Sequence, residues 1–269
     1  MTGGLAGLSL WAALLLTSAA PGDGSRLGCH AARGERVLAS QRADELFVPA
    51  STHKLAVAAA ALHHLGPEYR VTTRLWAGSA VGPELDTLIL EAAADPTWSE
   101  RFFDGGAAEP LALLARQVHD AGVRRVRRLV VDLSRFPGRP HPSSRAVGDL
   151  AFAFAAPTAG LAIDDNAISL RMAPGDRVGA PARFEALGGA EGGLEIRNLT
   201  TTAPASRNER GTVDFQAEWS SGSWTIRGEY PIGEPAYTIA LGAADGELRA
   251  ARALARALAA AGVAGSPLP

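Results

Sequence analysis

The segment from Pro49 to Leu65 limits what this chain can become more than any other. Pro49-Ala50-Ser51-Thr52-His53-Lys54 runs directly into Leu55-Ala56-Val57-Ala58-Ala59-Ala60-Ala61-Leu62. Alanine has the highest helix propensity, so this composition predicts a helix over residues 51–65. Gly66-Pro67 stops it, because glycine accepts the left-handed conformation of a C-cap and proline cannot continue the helix. At its entrance stand Ser51 and Lys54. Residues three apart share a helix face, so the amine reaches the hydroxyl. Lys54 is also the only lysine of the chain; every other basic residue is arginine. A neutral amine there can take the serine proton, and the positive end of the helix dipole pushes the amine toward that basic form. The plainer alternative is that Ser51 only caps the helix.

Composition narrows the classes. A chain of 269 residues, 47% apolar and 20% charged, is globular and long enough for one large domain or two smaller ones. A net charge of −2 leaves no electrostatic footprint for nucleic acid. The one basic run, Arg124, Arg125, Arg127 and Arg128, reads as a solvated turn ahead of a strand over residues 129–133. Residues 5–16 are an apolar run followed by Thr17-Ser18-Ala19-Ala20. Although no basic residue precedes it, that texture resembles a secretory signal peptide over residues 1–20, with cleavage expected after Ala20 and an extracytoplasmic destination. The run is short for a membrane span, and no later segment approaches about 20 apolar residues in a row. The single cysteine, Cys29, excludes an internal disulfide. Arg26 stands where a lipobox needs an aliphatic residue, so Leu27-Gly28-Cys29 does not read as a lipid attachment site.

Beyond the first helix the texture changes. Strands are predicted over residues 35–40 before it, and over 71–77, 87–91, 129–133, 167–172, 194–198, 213–219 and 224–229 after it, each short, alternating and bounded by turn residues. Helices are predicted over residues 110–121 and 245–261, the second ended by Gly262. Gly188-Gly189, Gly192-Gly193 and the polar stretch 200–211 read as loops. The sum is an α/β start, a β-rich middle and an α/β return, with no internal repeat.

Together these segments resemble the D-alanyl-D-alanine carboxypeptidases/endopeptidases of the penicillin-binding protein 4 type. The resemblance rests on Pro49-Ala50-Ser51-Thr52-x-Lys54-Leu55, on Ala61-Leu62-x-x-Leu65-Gly66-Pro67-x-Tyr69-Arg70-x-Thr72-Thr73, and on Asp95-Pro96-Thr97. It continues through Leu129-Val130-Val131-Asp132-x-Ser134-x-Phe136, Ala156-Pro157-x-Ala159-x-Leu161-x-x-x-x-Asn166 and Ala257-Leu258-x-x-Ala261-Gly262-Val263-x-Gly265. It implies a penicillin-recognising serine peptidase fold, of the beta-lactamase/transpeptidase kind, with a β-rich insertion. On that reading residues 21–66 are the N-terminal piece of the transpeptidase domain, 67–232 the insertion, and 233–269 a return into the transpeptidase domain. Ser51 matches the acylated serine, Lys54 its proton acceptor, and Asp149 the aspartate that reaches from the insertion toward the substrate. The alternative for Asp149 is a turn or helix-cap carboxylate. The implied ligands are peptidoglycan stem peptides and beta-lactams, and the chemistry calls for no metal or cofactor.

One departure is large. The family's S-x-N and K-T-G motifs are expected beyond the last residue of this sequence, and with a single lysine no K-T-G can occur in it. Ser206-Arg207-Asn208 spells S-x-N, but it lies in the polar stretch and reads as coincidence. The expectation is therefore a truncated enzyme, impaired alone or completed by a second chain. Other chemistries fare worse. No G-x-S-x-G elbow occurs, His53 points away from Ser51, and the adjacent His63 and His64 are splayed by about 100° with no H-E-x-x-H. A beta-lactamase or esterase could use the same S-x-x-K. The rival from another class is a non-catalytic module that binds the cell wall or a protein.

Overall fold

An antiparallel hairpin and one helix make up the first of two compact units, Met1–Tyr69. The computed structural model describes residues 26–78, 82–187, 195–205, 211–218, 223–243 and 245–265. The expected signal peptide therefore lies outside the described residues, as do the paired glycines of 188–193 and Ser206-Arg207-Asn208. In the hairpin, β1 (Cys29–Arg33) pairs with β2 (Arg36–Gln41), with a bulge between Ala31 and Ala32. A 3₁₀ turn, Ala50–Thr52, then leads into α1 (His53–Leu65). Gly66, at φ 79, ends α1 and donates its N–H to the Leu62 carbonyl at 3.1 Å. Only glycine takes that φ without strain. No described residue of this unit is buried; Leu46 and Val48 are 95% and 92% exposed, and Leu55 on α1 is 75% exposed. Arg26 ties the segment leading into the hairpin to the one that follows it, by pairing with Glu45 and lying over the Phe47 ring at 5.3 Å.

The second unit, Arg70–Pro269, holds two cores. Its first layer is a sheet in the order β12-β5-β4-β3, made by β3 (Arg74–Ala77), β4 (Glu84–Glu91), β5 (Arg125–Asp132) and the short β12 (Ala264–Gly265). The β4–β5 and β5–β12 pairs are parallel and β3–β4 is antiparallel. Two helices cover one face. On α2 (Ala108–Asp120) Leu111, Ala115 and Val118 are buried, and on α3 (Gly246–Ala260) Ala250, Leu254 and Leu258 are. These i, i+4, i+7 and i, i+4, i+8 stripes meet Leu85, Leu88 and Leu90 of β4 and Val126 of β5.

The second core lies among two three-stranded sheets. One runs β11-β6-β7, from β6 (Ala167–Ala173), β7 (Arg183–Leu187) and β11 (Tyr237–Gly242). The other runs β8-β10-β9, from β8 (Ile196–Ala203), β9 (Asp214–Glu218) and β10 (Ser223–Pro231). Leu170 and Met172 of β6 and Leu241 of β11 cluster with Phe215, Trp224 and Ile226 of the second sheet. Within residues 233–269, the expected return into the transpeptidase domain, β11 pairs with β6, α3 shares the first core and β12 pairs with β5.

Two local expectations are corrected. The arginine run is no turn: β5 begins at Arg125, and Arg127 and Arg128 reach across to Glu84 and Asp86 of β4 at 2.9 and 3.2 Å. Cross-strand pairing keeps these charges on the wet face of a strand. The polar stretch after residue 200 begins inside β8, where Thr200 and Thr202 are buried. Their hydroxyls accept the Ala182 and Gly175 N–H groups, so polar side chains complete the backbone pairing at the core's edge.

Candidate active site

Ser51 sits in the 3₁₀ turn and Lys54 one step into α1, both exposed. Lys54 Nζ lies 3.5 Å from Ser51 Oγ. That is the outer limit of a hydrogen bond, and catalytic contacts in unliganded sites are often this long. The capping role is taken by neither side chain. No side-chain cap bond closes the start of α1, and the Thr52 hydroxyl turns back to donate to the Pro49 carbonyl. Ser51 Oγ is thus left facing the amine. Ala50, immediately before it, has φ 44, a left-handed backbone that costs a non-glycine residue about 1–3 kcal/mol and is typical of sites where one side chain must be aimed. The sequence carried no signal for that strained alanine.

Asp149 lies in the second unit, at the end of a 3₁₀ turn over Val147–Asp149, half-buried. Its segment is held by three contacts, two of them from β11. Gly242 donates to the Ala151 carbonyl at 3.1 Å, Phe152 bridges to Leu241, and the Asn166 side-chain amide donates to the Pro157 carbonyl at 3.0 Å. Asn166 itself is 2% exposed, and a Cβ on Gly246 would lie 2.2 Å from its Oδ1, so α3 can start there only with glycine. The other histidines take no part in the pair: the His63 and His64 rings meet each other edge to face, with centroids 5.0 Å apart. Among the described residues no group of three or more His, Cys, Asp or Glu side chains is arranged to hold a metal ion.

A nucleophile and an amine on one turn, ahead of a mixed α/β body, can be compared with known proteins. Residues 15–266 match the family described as D-Ala-D-Ala carboxypeptidase 3 (S13). The chain belongs to that family. A D-alanyl-D-alanine carboxypeptidase from an Actinomadura species is 32% identical over 192 residues, 68% of this chain and 34% of that protein. Penicillin-binding protein 4 (dacB) from Haemophilus influenzae superposes with a TM-score of 0.74 over 92% of this chain and 55% of its own, at 20% identity. The same Haemophilus protein in complex with a beta-lactam gives 0.63, at 18% identity over 88% of this chain and 50% of its own. This member of the family thus has the penicillin-binding protein 4 fold while spanning about a third of the length of the first relative and about half of the second. No helix among its described residues is long and apolar enough to cross a membrane.

Proposed function

We propose that this chain carries the acylating pair of a serine-type D-Ala-D-Ala carboxypeptidase/endopeptidase acting on peptidoglycan stem peptides outside the cytoplasm. The observation that carries this reading is Lys54 Nζ at 3.5 Å from Ser51 Oγ, in a chain of this family. In the reaction, the neutral Lys54 amine takes the Ser51 proton as Oγ attacks the carbonyl of the penultimate D-alanine. The tetrahedral intermediate collapses and the C–N bond breaks as the departing D-alanine nitrogen takes the proton held by Lys54; water then hydrolyses the acyl-Ser51 ester, returning the Ser51 hydroxyl. The backbone N–H of Ser51 supplies one oxyanion donor. The family's second donor belongs to its K-T-G strand, which this sequence does not contain. A missing donor costs about 10²–10³ in rate. Asp149 is the substrate-binding residue that the family resemblance implies.

In this reading residues 21–66 are the start of a catalytic domain whose remaining part is supplied by further polypeptide. Exposed Leu55, Val57 and Leu62 on α1 favour that, since burying each would stabilise a completed domain by roughly 1.5–3 kcal/mol. The test is incubation with a fluorescent penicillin, with mass spectrometry of the adduct. Labelling at Ser51 that Ser51→Ala abolishes and Lys54→Met slows by about 10²–10⁴-fold supports the reading. A chain that retains peptidoglycan in a pull-down but never labels, even with the rest of the domain added, is a binding module instead.

A further inference from the structure

The sheet of the first core has two faces, and α2 and α3 cover only one. Leu75, Leu90 and Val131, register partners across β3, β4 and β5, pack against that core. The next partners along, Trp76, Ile89 and Val130, alternate to the opposite face. There Trp76 is 52% and Val130 37% exposed. Strands lie about 4.8 Å apart and rise about 3.3 Å per residue, so this apolar stripe is roughly 10 Å long, with the next residues of the same face roughly 7 Å to either side.

Polar groups frame the stripe and neutralise one another. On one side Glu91 accepts the Trp76 indole N–H at 2.8 Å and pairs with Arg135 and Arg74, while Asp132 stands opposite Glu91 in register. On the other, Arg128 donates to the Thr87 hydroxyl at 2.9 Å and pairs with Asp86. Three guanidinium groups thus meet three carboxylates, which leaves no net field to draw a polyanion or a polycation. The bond to Glu91 uses the one donor of the indole, so what Trp76 offers a ligand is the surface of its ring. Arg135 continues the frame, its guanidinium 5.9 Å from the centre of the Phe136 ring, which is 38% exposed.

We propose that this face binds a neutral, N-acetylated glycan, with one sugar ring stacked on Trp76, an acetyl methyl against Ile89 and Val130, and hydroxyls hydrogen-bonded to Glu91 and Arg135. A pyranose has apolar C–H faces edged by hydroxyls, and the protein face matches it with an apolar centre edged by donors and acceptors. The footprint is wrong for a folded partner, because a stable protein interface buries about 800 Å² a side and the stripe is far smaller. The paired charges are wrong for an acidic peptide or a nucleic acid. The occupant is the glycan strand of peptidoglycan. That identity rests on the function proposed above, whereas the stacking face does not. Binding there would keep the chain on the polymer from one stem peptide to the next.

Nuclear magnetic resonance of the indole N–H groups tests this in the full chain carrying Ser51→Ala, with the β-1,4-linked tetramer of N-acetylglucosamine as the probe and the glucose tetramer as the control. The Trp76 signal, assigned by its loss in Trp76→Phe, should shift saturably with the probe, and those of the buried Trp98 and Trp224 should not. Trp76→Ala should weaken retention on glycan strands stripped of their peptides roughly tenfold or more. Phe154→Ala, which removes an exposed ring from another segment, should leave retention unchanged. No shift of the Trp76 signal at millimolar probe, an equal shift with the glucose tetramer, or retention indifferent to Trp76→Ala overturns the proposal. The titration of the parent decides the matter even where Trp76→Ala fails to fold. Because the probe carries no peptide and Ser51 is replaced, failure here leaves the acylation reading standing, and a chain that penicillin never labels leaves this one standing.

Discussion

The two units solve the same problem with opposite means. Residues 70–265 bury two apolar cores, in which Leu90, Leu170, Ile226 and Leu254 are each wholly out of water. Between Arg26 and Tyr69 nothing is buried, and a 13-residue helix stands with its leucines exposed. A helix that short is marginal in water without packing, so α1 rests on alanine propensity and its glycine stop. The difference teaches where the chemistry is encoded. The Ser51–Lys54 spacing is a property of one helical turn and needs no core, whereas the placement of Asp149 depends on contacts between distant segments.

Hydrogen exchange measures that contrast most directly. Amides of β4, β6 and β10 should exchange only through global unfolding, with protection of about 10³ or more, while those of α1 should be protected less than about tenfold. Protection of α1 equal to that of β6 would show that its apolar face is covered in solution. Paired substitutions come next in size. Leu254→Ala, in the first core, should cost about 2–5 kcal/mol in denaturant titration. Leu55→Ala on α1 should stay within about 0.5 kcal/mol, and a larger loss would mean that the side chain packs against something. Gly228→Ala follows. Gly228 has φ 114, and a Cβ there would lie 1.8 Å from the Thr212 carbonyl oxygen, so β10 must shift or break. A lower midpoint by at least about 1 kcal/mol is expected, and an unchanged one would show that β10 tolerates the strain.

Much of this was legible because it is local. The stripe on α3, the alternation of β6 and the Gly66 stop follow from period and turn chemistry, and each lies within a residue or two of its expected place. The missed strands β1 and β7 lack that signal: Cys29–Arg33 and Arg183–Leu187 are rich in alanine, charge or both, and only their partners make them strands, whereas the β-forming residues of β11, Tyr237–Gly242, did carry it. The same holds for Arg125–Arg128, which looks like a solvated turn until Glu84 and Asp86 are set opposite. Several residues that carry the family resemblance turn out to do structural work. Asp95 accepts the N–H and hydroxyl of Thr97 at 2.9 and 2.7 Å, Asp132 accepts the Ser134 N–H at 2.9 Å, and Asn166 clamps Pro157.

The smallest effect separates surface charge from core in the second unit. Glu91 accepts the Trp76 indole N–H at 2.8 Å and pairs with Arg135 and Arg74 at 3.1 and 3.4 Å, so three side chains meet on one carboxylate. The indole hydrogen bond first, then the two guanidinium groups, hold its pKa below the ordinary glutamate value. A carboxyl with a depressed folded-state pKa binds fewer protons folded than unfolded through that window. Its stabilisation is therefore complete above the unfolded value, near 4.3, and is lost as pH falls through the folded one. Glu91→Gln keeps an acceptor for the indole and removes the charge. The melting temperature of the parent should exceed that of the variant at neutral pH, and the gap should close on acidification below about pH 4. A gap that persists at pH 2 would assign the effect to packing around Trp76 instead of charge. A gap absent at every pH would mean that the ion pairs on this wet face contribute nothing, leaving the two cores to hold the second unit unaided.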